Sequence, residues 1–227
     1  MGGDTQDGIR RAPARGTLAA LACLLAATGC SSGDGGSVTP GSGQAADPVV
    51  VDFPIAYVKR PVPAAGTPPA DARRLLDVQP GSDLYVRDRA SANAVERNVT
   101  AEITQGAGEV RDVEPSYDGT KLLFAMREPL VEGAPEDEQP TWNIWEYEVA
   151  TRSLRRIIQS DIVAEEGHDV APHYLPDGRI VFSSTRQRQS RAVLLDEGKP
   201  QFAALDEDRR EPAFVLHVMN GDGTGLR

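Results

Sequence analysis

The sequence has very few cysteines, few aromatic residues, no long hydrophobic run and no excess of basic charge. Its two cysteines, Cys23 and Cys30, both lie near the start of the 227-residue chain, so the remainder holds neither a disulfide framework nor a cysteine-based metal site. The net charge of −10 argues against nucleic acid or an anionic membrane surface as a partner, because phosphate neutralisation requires a basic face. An apolar fraction of 40% and a charged fraction of 26% are typical of a soluble globular chain.

The longest apolar run, residues 17–27, follows a segment that contains Arg10, Arg11 and Arg15. Eleven residues are too few for a helix to cross a hydrocarbon layer of about 30 Å, and they match the apolar core of a secretory signal. We therefore predict a signal peptide over residues 1–29. Residues 30–50 are rich in glycine and serine, which predicts a flexible tether without a core.

The end of this signal, Ala27-Thr28-Gly29-Cys30, resembles the lipobox of bacterial lipoproteins. The resemblance implies cleavage before Cys30, lipid on its thiol and acylation of the new amino terminus. Several acyl chains anchor a protein stably where a single chain does not. Ser31 follows the cysteine where aspartate would indicate retention in the inner membrane, so the resemblance implies an outer-membrane protein that faces the periplasm. An ordinary signal peptide, with Cys30 incidental, is the alternative.

A repeated pattern organises the rest of the chain. Residues 114–127 read EPSYDGTKLLFAMR and residues 171–186 read APHYLPDGRIVFSSTR. Asp-Gly between two short extended runs predicts a hairpin, because glycine accepts the positive φ of a tight turn. Residues 55–60, IAYVKR, share the apolar start, the aromatic third residue and the terminal arginine of LLFAMR and IVFSSTR.

Each of these strands is followed, after a loop of variable length, by a second stretch of alternating residues, over 83–100, 143–159 and 214–227. Glu146 is the member of these stretches that departs from the apolar pattern. Alternation with period two predicts half-buried antiparallel strands. The sequence therefore predicts an all-β fold of four-stranded meanders of about 60 residues, longer than the usual propeller blade. The excess falls in surface loops over residues 61–82, 129–142 and 187–213, and no long helix is expected; residues 70–76 have room for two turns at most.

About three such units fit in residues 51–227, while closed propellers need four to eight blades. Two interpretations remain open: an incomplete β-propeller, of which this chain is the amino-terminal portion, or a small domain that closes in another way. The last unit reaches residue 227 where its final strand is due to begin.

The segments YLPDGRIVF with SSTR, at residues 174–186, and NGDGTGLR, at 220–227, resemble the PD40 (WD40-like) repeats of TolB-like β-propellers. The sequences of these segments are most similar to the propeller of hydrazine synthase alpha-subunit-like proteins. The resemblance implies the fold over residues 50–227 and leaves function open. Those relatives attach c-type haem through C-x-x-C-H, which does not occur in this sequence, so haem chemistry is not carried over. The G-x-S-x-G elbow of propeller-gated serine peptidases is also missing from residues 51–227.

Few residues suggest chemistry, and we predict no catalytic, cofactor or metal residue. His168, Asp169 and His173, with Glu165 and Glu166, are types that bind zinc, but their spacing matches no ligand pattern and turn hydrogen bonding accounts for them better. The three Asp-Gly pairs within residues 51–227 (Asp118, Asp177 and Asp222) lack the spacing of calcium loops and are predicted to form turns. The acidic loop with Glu132, Glu136, Asp137 and Glu138 is solvated surface or a partner site. Trp142 and Trp145 pack in a blade, or one of them anchors a partner.

These features predict a lipid-anchored propeller in the bacterial cell envelope that binds a protein or ligand at its loop face and has no catalysis of its own. The alternative is the front part of a larger periplasmic enzyme, a multihaem redox protein or a propeller-gated hydrolase, with its active centre beyond residue 227.

Overall fold

Antiparallel strands make up most of the regular structure in this chain. The computed structural model describes residues 53–67, 76–77, 79–91, 93–206, 209 and 212–227. Within them lie β1 (Ile55–Lys59), β2 (Asp83–Arg87), β3 (Glu96–Asn98), β4 (Glu109–Pro115), β5 (Lys121–Arg127), β6 (Asn143–Glu148), β7 (Ser153–Arg156), β8 (Asp169–Tyr174), β9 (Ile180–Ser184) and β10 (Val215–Met219). The helices are α1 (Ala101–Thr104), α2 (Asp161–Ala164) and α3 (Arg188–Asp196), with a 3-10 turn at Glu136–Glu138. The all-β prediction is confirmed for this part of the chain.

The strands form three meanders: a first sheet β1-β2-β3, a middle sheet β4-β5-β6-β7 and a last sheet β8-β9-β10. The strands predicted to be equivalent, β1, β5 and β9, each pair antiparallel with the strand that follows them. Only the middle sheet has the predicted four strands among the described residues. In the last sheet, Arg227 and Val218 exchange two backbone hydrogen bonds of 2.9 and 3.0 Å, so Arg227 lies where β7 lies beside β6.

The Asp-Gly pairs form hairpin turns, as predicted, but the loops are longer than two residues. In the β4–β5 loop, Gly119 is the fourth residue of a turn that its N–H closes on the carbonyl of Ser116, at 2.8 Å, and its φ is +70°. Asp118 accepts hydrogen bonds from the backbone and side chain of Thr120. The aspartate therefore fixes the turn from inside, while glycine supplies the positive φ.

Both faces of β5 are buried, and its side chains alternate between two cores. Leu122, Phe124 and Met126 pack with Leu84 and Val86 of the first sheet. Leu123 packs on the other side, in a core that includes Ile180 and Phe182 of the last sheet. This alternation explains why β5 reads as a continuous apolar run: each face meets a different neighbouring sheet.

A backbone hydrogen bond between corresponding segments joins each sheet to the next. The N–H of Gly81, before β2, donates to the carbonyl of Gly108, before β4, at 2.8 Å. At the second junction the donor and acceptor are exchanged: the N–H of Asp169, in β8, donates to the carbonyl of Trp142, before β6, at 2.8 Å. The long connections β1–β2, β5–β6 and β9–β10 therefore leave from neighbouring ends of the three sheets, which we call the loop end.

Helix α3 was not predicted from the sequence. The insertion between β9 and β10, predicted as an irregular loop, contains the nine-residue helix α3. None of its residues is buried, so it lacks the apolar face that makes a helix recognisable in a sequence. Residues 70–75, and with them most of the predicted two-turn segment, lie outside the described residues.

A matched pair of glycines tests the packing of the last sheet against the middle one. Gly178 and Gly223 both have φ of +84°. A Cβ at Gly178 meets open space, whereas one at Gly223 overlaps the backbone of Ile157, with its carbonyl carbon 2.9 Å away. We expect Gly178→Ala to cost about 1–2 kcal/mol through backbone conformation. Gly223→Ala adds roughly 1–3 kcal/mol of overpacking. Urea unfolding measures both, and equal losses contradict this packing.

Candidate binding site at the loop end

The predicted lipidation residue, Cys30, lies outside the described residues, as do the predicted signal and most of the tether. Among the residues that the structure describes, no helix combines the length and apolarity needed to cross a membrane.

The residues that the sequence singled out as a conceivable cation site each have their own protein partner. His173 pairs with Glu114 of β4. Glu165 accepts hydrogen bonds from the backbone and side chain of Thr141, at 3.0 and 2.9 Å. Glu166 pairs with Arg188. In the described part of the chain, no group of three or more histidine, cysteine or acidic side chains is arranged to hold a metal ion.

Arg186 and Asp169 form a buried ion pair close to these residues. Arg186, at the end of the repeated strand segment, donates to Asp169 through Nε at 3.0 Å and Nη2 at 2.5 Å. Both side chains are fully buried, and Ser184 donates to the same carboxylate at 2.7 Å. Arg186 also donates to the carbonyls of Val163 and Ala164, at the end of α2. The terminal arginine of the repeat therefore ties β8 and β9 to the preceding connection.

His168 lies beside this pair and is held in its neutral form. Burial, together with the charges of Arg127 and Arg111, lowers its pKa to about 4. The N–H of Trp142 donates to Nδ1 of His168 at 3.2 Å, which assigns the imidazole proton to Nε2. His168 acts here as a hydrogen-bond acceptor that orders the start of β6.

The two tryptophans have different environments. Trp142 is fully buried, and the guanidinium carbon of Arg111 lies 3.7 Å from its ring centroid, a cation–π geometry. Trp145, three residues on, is half-buried and lines a surface cleft. The core role predicted for one tryptophan therefore fits Trp142, while Trp145 packs against the core shared by the first and middle sheets and also lines this cleft.

This cleft, which we call the acidic cleft, is the most distinctive concave feature of the loop end. Its volume is about 380 Å³. Four carboxylates line it, those of Glu128, Asp137, Glu138 and Glu165. The rest of the lining consists of two amide side chains (Gln139 and Asn143), the ring of Trp145, and Met126, Pro140 and Thr141. No lysine or arginine is among these lining residues. The sequence identified the acidic loop, but Glu128, Glu165 and Asn143 join it only through the fold.

Glu146, the polar exception in the strand pattern, links the middle and last sheets. It is buried and accepts hydrogen bonds from Arg155 of β7 at 2.7 Å, Tyr174 of β8 at 2.8 Å and Lys121 of β5 at 3.2 Å. Burial acts to raise the pKa of its carboxyl, but these donors outweigh burial and the net pKa is lowered. The carboxylate is therefore ionised in the folded protein and joins three other strands.

Comparisons with known proteins identify no family. No protein-family model matches the chain, and no curated protein matches it. Among solved structures, hydrazine synthase of Kuenenia stuttgartiensis is similar with a TM-score of 0.44 and 16% identity, over 73% of this chain and 21% of that one. Tricorn protease is similar with a TM-score of 0.37 and 14% identity, over 61% of this chain and 11% of that one. The chain thus spans less than a quarter of either protein, and the class defined by its own structure is an all-β protein of three adjoining antiparallel sheets.

The buried ion pair gives a sharp stability prediction. Arg186→Met leaves Asp169 as an uncompensated buried charge, which costs about 3–5 kcal/mol of unfolding free energy. Arg188→Met removes the same charge from an exposed ion pair and is expected to cost about 1 kcal/mol or less. Urea denaturation of the two variants measures both losses of unfolding free energy. Similar losses in both contradict the structural role of Arg186.

Glu146 predicts a dependence of stability on pH. Because its folded pKa is lower than the ordinary value of 4.5, its contribution is complete above that pH and is lost as the pH falls through the folded pKa. Glu146→Gln should cost about 1–3 kcal/mol at pH 7, and the gap from wild type should narrow under acid. Glu148→Gln, on the same strand, is the control, because Glu148 accepts from nearby Thr151. A gap that stays constant from pH 7 to 3 argues against the link.

Proposed function

We propose that the three sheets are consecutive blades of a β-propeller and that the chain is a binding scaffold with no catalysis of its own. The observation that carries this proposal is the repeated step between sheets. Gly81 with Gly108 and Trp142 with Asp169 form a backbone hydrogen bond between corresponding segments of successive sheets, with the donor in the earlier sheet at the first junction and in the later sheet at the second. A constant step from one meander to the next is how blades succeed one another around an axis.

The first strands of the middle and last sheets, β4 and β8, support the same arrangement. The N–H of Ala171, in β8, donates to Asp112 of β4 at 3.0 Å, and further along the two strands His173 pairs with Glu114. Two first strands that run side by side in the same direction are expected of neighbouring blades, because in a propeller the first strands surround the axis.

The loop end is the proposed binding face. It bears the three long connections, whereas the opposite end has the short turns at Asp118, Asp177 and Asp222. Binding residues are concentrated on loops that a rigid scaffold positions. Leu130 and Val131, in the β5–β6 connection, are about half exposed and provide apolar contact area beside the charged groups.

We further propose that lipid on Cys30 holds the scaffold at the outer membrane, facing the periplasm, with residues 31–48 as the tether. The Gly/Ser-rich composition of this segment is typical of linkers between an anchor and a folded unit. The lipobox-like letters before Cys30 are the basis of this part of the proposal.

Photo-crosslinking in the native cell envelope tests the scaffold. A benzophenone side chain at position 130, on the loop end, should give a discrete adduct, whereas one at position 151, in the β6–β7 turn, should not. Adducts of equal yield from both positions, or none from position 130, overturn the proposed face. In the same cells, Cys30→Ser should release the protein from the membrane fraction. Retention of this variant in the membrane overturns the anchor.

A further inference from the structure

The acidic cleft presents hydrogen-bond acceptors and negative charge, and its lining includes no lysine or arginine. We propose that it binds an organic cation, the ammonium or guanidinium group of a lysine or arginine side chain presented by a partner protein. This inference deepens the proposed function and rests on it, because it places partner recognition on the loop end.

Among the described residues, three of the four cleft carboxylates have no cationic partner, while Arg127, whose Nε donates to the carbonyl of Pro140 in the cleft lining, lies within electrostatic reach of Glu165. Four of its lining residues are carboxylates, and within the described residues none of Glu128, Asp137 and Glu138 forms an ion pair. Like charges that line one cavity repel one another, so a bound cation relieves the repulsion. A partner that supplies positive charge is therefore favoured over a neutral or acidic one.

A buried acceptor in the cleft lining points to a hydrogen-bond donor. Asn143 lines the cleft and is 5% exposed. Its Nδ2 donates to the carbonyl and hydroxyl of Thr141, at 3.3 and 3.1 Å, and to Oε1 of Glu165 at 3.4 Å, which fixes the orientation of the amide. Its Oδ1 is buried and has no hydrogen-bond partner in the described part of the chain. Buried polar atoms rarely stay unsatisfied, and ammonium and guanidinium groups offer only donors.

The loop that carries the acidic residues is already ordered. The side chain of Gln139 accepts from the N–H of Val131 at 2.8 Å and donates to the carbonyls of Val131 and Ala134, each at 2.9 Å. Glu165 is fixed by Thr141 on the other side of the cleft. Groups held in place before binding lose less conformational entropy when a ligand arrives, which favours affinity.

Trp145 and Met126 complete the match with an organic cation. The half-buried indole gives the cleft a π surface, and cations bind favourably over tryptophan rings. The apolar lining can contact the methylene groups of a lysine or arginine side chain. A small hydrated metal ion uses neither feature, and the described residues hold no cluster of three ligating side chains.

Calorimetric titration of the full-length protein in detergent tests the site. The probe is the peptide acetyl-Gly-Lys-Gly-amide, with its neutral norleucine counterpart, butylamine and calcium chloride as separate arms. We expect the lysine peptide to bind and to change the fluorescence of Trp145, and the norleucine peptide to do neither. Equal binding of both peptides, or calcium that displaces the lysine peptide, overturns the proposal. If butylamine binds more tightly than the peptide, the ligand of the cleft is a free amine and the proposed partner side chain is wrong.

Two double variants with the same change in net charge separate the cleft from the general acidity of the protein. Asp137→Asn with Glu138→Gln removes two lining carboxylates, and should weaken the lysine peptide by at least about tenfold, since hydrogen bonds to charged groups are strong. Glu132→Gln with Glu136→Gln removes two carboxylates from the same loop that do not line the cleft, and should change affinity by about twofold or less. Equal weakening in both variants overturns a specific site.

The two proposals fail in different ways. If the crosslink from position 130 persists in both double variants while no lysine peptide binds, the scaffold stands and the cation site is wrong. If the peptide binds in the cleft but position 130 gives no adduct, the cation site stands and the proposed protein-binding role is wrong.

Discussion

The fold depends on one requirement: the middle sheet has apolar side chains on both faces, and each face needs a neighbouring sheet to cover it. Leu122 and Phe124 of β5 pack with the first sheet, and Leu123 between them packs with the last. A meander with two apolar faces is unstable by itself, because half of its side chains remain in water. Stacking such sheets in series is the direct solution, and it makes the stability of each sheet depend on its neighbours.

Polar links then fix how the sheets sit on one another, since apolar contact is not directional. Backbone hydrogen bonds at the loop end set the step from sheet to sheet, and Glu146 reaches Tyr174 across the second interface. The Asp169–Arg186 pair connects the start of the last sheet to α2. Each of these groups is buried or nearly so, which means that its partner has to be present for the structure to tolerate it.

The acidic cleft stands apart from these structural links. Its carboxylates at positions 128, 137 and 138 form no ion pair among the described residues, whereas the buried charges nearby are each occupied in the fold. Charge of one sign gathered around a half-buried tryptophan and an unsatisfied amide oxygen contributes no evident stability. We interpret it as a surface shaped for recognition, on the end of the molecule where long connections allow variation without disturbing the sheets.

The sequence by itself determined the strands and the turns, because period-two alternation and Asp-Gly pairs are local properties of the backbone. It also marked residues 129–142 as an acidic loop, and it repeated the arginines at positions 127 and 186 without indicating their role. Only the tertiary structure decided that Arg186 is buried against Asp169, that Glu146 is an inter-sheet link and that Asn143 joins the cleft. These roles depend on which side chains from distant parts of the chain meet in a desolvated space, and that geometry is not encoded in any local pattern.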